Sequence, residues 1–154
     1  MWRRVRYLAV LLGLCAIATY PTAHRSCAAK NRAREASSLL ELLGDRIAAH
    51  AKANGRVPPT AAGPTPQTPC CTQGGTCTTD AATWSAAGWR ALEFSVDGTF
   101  RYAYEYIPDP SGRSATVRAT GDLDCDGVLS RHELTLTVNG KDVERVWSIR
   151  DPKQ

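Results

Sequence analysis

The chain has 154 residues, 43% of them hydrophobic and 22% charged, with a formal net charge of +4. That length suits one compact domain with an appendage, and the composition excludes both a disordered chain and an integral membrane bundle. The charge is uneven: residues 1–21 hold three Arg and no acid, 22–56 hold seven Lys/Arg against three acids, and 57–154 hold nine against twelve. A nucleic-acid binder concentrates its basic excess on the folded body, so the mildly acidic body argues against nucleic acid as a partner. With three His, no Ser/His/Asp arrangement and no glycine-rich phosphate loop, the expectation is a protein that is not an enzyme.

The chain opens on Trp2-Arg3-Arg4-Val5-Arg6 and continues into an unbroken apolar run of eleven residues, Leu8 to Ala18. Eleven residues match the apolar stretch of an export signal and fall short of the ~20 that a straightforward spanning helix needs. Small-x-small sites end at Ala18 and Ala23. Residues 1–23 are therefore read as a cleaved signal or a retained short membrane anchor. Either places the body outside the cytoplasm.

Residues 24–56 read as an amphipathic helix. Ala36, Leu40, Leu43, Ile47 and Ala51 recur on one stripe of a 3.6-residue period, widened by Leu39 and Leu42, and Asn54-Gly55 with Pro58-Pro59 stops it. Residues 57–79 hold five Pro and three Gly without periodicity, which predicts an irregular surface loop. Residues 80–154 read as a β-rich head. Trp89 to Val96 alternate with period two and predict a strand, followed by an Asp97-Gly98 hairpin signal. Phe100, Tyr102, Tyr104 and Tyr106 fall on one face of the next strand, and Ala115 to Thr120 form another. Leu134, Leu136 and Val138 alternate into Asn139-Gly140, with Val143, Val146, Trp147 and Ile149 on the strand beyond. The predicted class is α+β, a helix packed on an antiparallel sheet.

Six Cys stand at 15, 27, 70, 71, 77 and 125. Cys70-Cys71 followed by Cys77 lacks the C-x2-C spacing of a zinc site, so the four body cysteines suit disulfides in an oxidising compartment. Neighbouring cysteines do not easily bond one another. Either Cys70 or Cys71 is expected to bridge Cys77, and the other to reach Cys125.

Residues 122–133 carry the most specific motif, with Asp122, Asp124 and Asp126 at alternate positions, then Gly127, Val128, Ser130 and Glu133. This is the calcium-loop pattern: alternate carboxylates point inward along a tight turn, Gly127 permits the turn, Val128 offers its carbonyl, Ser130 holds a water and Glu133 closes the shell. The expected cofactor is Ca2+ at Asp122, Asp124, Asp126, Val128, Ser130 and Glu133. The flanking residues read as strands, where an EF-hand has helices.

The order of parts resembles type IV pilin-like and pseudopilin-like proteins. The stretch 9–21, ending at Pro21, is similar to the apolar half of a pilin N-terminal helix, and the residues through Val57-Pro58 are similar to its amphipathic half. In the body the similar features are the Pro69-Cys70-Cys71…Cys77 loop and Trp89, Leu92, Phe94 and Ser95. To these are added Tyr102, Tyr104 and Tyr106, and the turn from Ala119 to Gly127. The prepilin peptidase motif is absent, and Arg4 stands where the family's helix carries Glu. The resemblance implies a long N-terminal helix, a pilin-like head and a structural or accessory role. It also implies partners among pilin or pseudopilin subunits and the inner membrane, with the head in the periplasm or outside the cell. The alternative is a secreted or periplasmic calcium-binding module unrelated to filaments.

Overall fold

Ala36, Leu40, Leu43, Ile47 and Ala51 are all essentially fully buried, as one stripe of helix α1, residues 34–54. The computed structural model describes residues 34–78 and 81–151, all within one unit, Arg32–Gln154. The expected signal or anchor, Cys15, Cys27 and the start of the predicted helix lie outside the described residues. Among the described residues no helix is long and apolar enough to cross a membrane. Gly55 ends α1: its φ of 71° is left-handed and its N–H reaches the Ala51 carbonyl at 2.7 Å, the glycine stop expected after Asn54.

The stripe lies on a five-stranded antiparallel sheet of order β1-β4-β5-β6-β7. Its strands are β1 (Ala62–Thr65), β4 (Ala103–Pro108), β5 (Ser114–Gly121), β6 (Ser130–Asn139) and β7 (Asp142–Arg150). Two short strands, β2 (Cys77–Thr78) and β3 (Thr99–Phe100), pair separately. Strict alternation aims Tyr104 and Tyr106 of β4, Ala115, Val117 and Ala119 of β5, and Leu134, Leu136 and Val138 of β6 at the helix. Helix α1 packs across this face, from Tyr104 of β4 beside Glu35 to Leu134 of β6 beside Gly44. The fit is close enough that a Cβ on Gly44 would lie 2.7 Å from Leu134 Cδ2. Polar contacts fix the helix in its first turn and at its middle. Glu35 accepts from the Arg101 backbone N–H at 2.7 Å, and Asp45 meets Arg145 of β7 at 2.7 Å.

Three local expectations are corrected. Residues 89–96 do not form a strand: they comprise a short helix, α2 (Ala87–Ala91), and irregular chain after it. Trp89, Leu92, Phe94 and Val96 are nonetheless all buried, and Ala91, Glu93 and Ser95 between them are exposed, so the irregular chain alternates in burial without pairing as a strand. Trp89 and Phe94 meet Trp84 edge to face, and the Trp89 indole donates to Thr65 Oγ1 at 2.8 Å. The Asp97-Gly98 turn joins no hairpin with 89–96, because Thr99–Phe100 pairs with Cys77–Thr78. Within the Pro-rich segment, Ala62–Thr65 is an edge strand on β4, a position where a strand tolerates Pro64.

Candidate metal centre

The turn from Asp122 to Leu129 joins β5 to β6, whose ladder closes at Gly121 opposite Ser130. Two features hold it. The Cys71–Cys125 disulfide ties it to the 3-10 turn Cys70–Gln73, while Cys70 bonds Cys77 within the Pro/Gly loop. Inside the turn, the Asp122 carboxylate accepts the N–H groups of Asp126 at 3.2 Å and Gly127 at 2.9 Å, and Asp126 accepts that of Val128 at 2.7 Å. Gly127 has a φ of 91°, which a side chain resists.

Folding the turn brings Asp122, Asp124 and Asp126 together, with one carboxylate oxygen of each within 4.8 Å of the others. Asp122 is half-buried and the other two are exposed. Three like charges at that separation repel, and a divalent cation with oxygen preference relieves the repulsion.

The other three expected ligands are Val128, Ser130 and Glu133. Val128 is exposed, at the turn. Ser130 is fully buried, its hydroxyl on the helix side of β6 without a hydrogen-bond partner among the described residues. Glu133 lies on the opposite face, held by Arg118 Nε at 2.6 Å, and is not among the converging carboxylates. Geometry explains this: an EF-hand helix winds its last Glu back to the ion, whereas a strand starting at Ser130 carries Glu133 about 10 Å onward.

Sequence reasoning missed the outer-face network in which Arg118 bridges Glu105 at 2.9 Å and Glu133. Its signal is cross-strand register, since Arg118 stands opposite both acids. Beside the acidic turn, a groove of about 310 Å³ runs between Pro64, Pro66 and the outer sheet residues Arg118 and Arg131. His132 and Glu133 point to opposite faces, as expected of adjacent strand residues. His132 is 1% exposed, neither ring nitrogen has a hydrogen-bond partner among the described residues, and burial lowers its pKa from the ordinary 6.5. Tyr104 is raised well above its ordinary 10, by burial first and then by the nearby Glu35 charge.

No family model, curated protein or solved structure matches the chain.

Proposed function

We propose that this protein is a non-enzymatic, exported structural or accessory protein of pilin-like build whose acidic turn takes calcium. The observation that carries the reading is the convergence of Asp122, Asp124 and Asp126 on a turn that a disulfide staples to the head. A helix laid on an antiparallel sheet is the architecture the pilin-like resemblance implies, and disulfides suit an oxidising compartment. The apolar run at 8–18 is the segment that reaches the inner membrane or neighbouring subunits, leaving the head in the periplasm or outside the cell.

In this reading the protein supplies the three carboxylates, the Val128 carbonyl adds an oxygen, and water completes the shell. A site so open is weak, with a dissociation constant of roughly 10⁻⁴–10⁻³ M, which extracellular calcium fills. Export is tested by fractionating cells that make the tagged full chain and sequencing its mature N-terminus. A membrane fraction with the N-terminus intact supports an anchored pilin-like protein. Cleavage after Ala18 or Ala23 with release favours the secreted calcium module. A cytoplasmic protein with four reduced body thiols contradicts both.

A further inference from the structure

One of the sheet's two edges is β7, a long edge strand whose own charges are Asp142, Glu144, Arg145 and Arg150. It runs nine residues in unbroken register with β6, without a bulge or proline. Its inward-facing charge, Arg145, is already engaged by Asp45. Around it lie exposed apolar side chains: Val146 at 56%, Ile149 at 47% and Trp147 at 37%, with Leu42 at 39% on α1. Leu42 precedes Asp45 by three residues, so it shares the helix side that meets β7.

The backbone groups on that edge can be assigned. The Val138 N–H donates to the Arg113 carbonyl at 2.7 Å, so even-numbered β6 residues bond toward β5 and odd-numbered ones toward β7. Asn139 stands opposite Asp142 and Thr135 opposite Val146, so Asp142, Glu144, Val146, Ser148 and Arg150 turn their amides to β6. The amides and carbonyls of Val143, Arg145, Trp147 and Ile149 point outward.

We propose that β7 is a homotypic interface, pairing antiparallel with β7 of a second copy of this chain about a two-fold axis through Val146. That register sets acid against base and apolar against apolar at its outer rungs. Asp142 meets the second copy's Arg150, Val143 meets Ile149, and Arg145 meets Trp147, each pair occurring twice. The outward-pointing amides are the ones this register brings face to face. The sheet also explains why Arg150 needs an acid. Its rung partner on β6 is Arg131, a like-charge pair directly opposite, which is destabilising, and neither Arg has a salt bridge among the described residues. The second copy's Asp142 supplies the missing charge. Across the axis the second copy brings its own Leu42, Trp147 and Ile149 to the same side of the sheet, adding apolar area to the strand pairing.

Site-specific cross-linking tests the register in the full chain, with Cys15→Ser and Cys27→Ser as background. A Val146→Cys variant puts the two new thiols on the axis at a non-hydrogen-bonded rung, ~4.5 Å between Cα atoms, within disulfide range. Ser148→Cys puts them about four residues apart along the strands, ~14 Å, out of range. Mild oxidation should give a covalent dimer from Val146→Cys about tenfold faster than from Ser148→Cys. Asp142→Arg should suppress that dimer, and adding Arg150→Asp should restore it. Equal trapping at 146 and 148, no trapping at 146, or failure of the charge swap to restore it overturns the proposal. Association through residues 1–33 alone gives no preference for position 146.

Discussion

Cys71 is bonded to Cys125, 54 positions further along the chain, with their Cα atoms 5.5 Å apart. This one covalent bond joins the Pro/Gly loop to the acidic turn, so the turn's shape depends on a segment far away in sequence. In the chain-entropy description a closure of that length is worth about 4 kcal/mol, against ~2.5 kcal/mol for the short Cys70–Cys77 loop. Chemical denaturation of a Cys71→Ser/Cys125→Ser variant should therefore show the larger loss. If removing Cys70–Cys77 costs more, the long bridge does not organise the head.

Packing of α1 gives a second expectation. Leu43 is fully buried against the sheet, so Leu43→Ala should cost about 2–5 kcal/mol, while Leu42→Ala, on the partly exposed flank, should cost ~1 kcal/mol or less. Gly88 is a sharper case. A Cβ there would lie 2.3 Å from the Ala61 carbonyl oxygen, a backbone atom that cannot step aside, so Gly88→Ala should displace α2 from β1 and destabilise despite alanine's better helix propensity. A stable Gly88→Ala protein would mean that α2 does not pack as described.

His132 makes stability depend on pH. Its pKa is lowered in the fold by burial, so the unfolded chain takes up the proton first. Stability is then fully present above ~6.5 and falls as pH drops toward the folded value. Thermal melts should show Tm declining below pH ~6.5, and His132→Phe should flatten that decline. The same change removes two buried nitrogens that have no partner among the described residues, so it should be neutral or stabilising by ~1–2 kcal/mol at neutral pH. A pH profile identical in wild type and variant would assign the decline to other groups.

Several parts of this architecture are readable from local pattern. The α1 stripe follows a 3.6-residue period, the Tyr104 and Tyr106 face a period of two, and Asn139-Gly140 closes the β6–β7 hairpin where Asn139 meets Asp142. The missed parts depend on contacts between distant segments. Strand β1 carries no period of its own and exists because β4 offers an edge. Helix α2 is five residues long, too short to display a period, and its Trp89 is buried by Trp84 and Phe94 instead. At the acidic turn the three Asp could be read from their spacing alone. The position of Glu133 could not, since it depends on Arg118 across the β5–β6 ladder.

That ladder yields a discriminating variant. Glu133→Gln weakens the bond to Arg118 on the outer face and should lower stability by about 1 kcal/mol. It should leave the response to calcium unchanged, because Glu133 does not reach the converging carboxylates. Loss of the calcium response in Glu133→Gln would mean that Glu133 leaves Arg118 to join the ion.

The central claim is calcium at the turn formed by Asp122, Asp124 and Asp126, and isothermal titration of the oxidised full chain with calcium tests it most directly, with Asp124→Ala in parallel. The wild type should bind one ion with a dissociation constant of roughly 10⁻⁴–10⁻³ M, and magnesium should bind more weakly because it demands a tighter octahedron. Asp124→Ala should abolish the heat. No binding at several millimolar calcium, or equal binding by Asp124→Ala, would contradict the account.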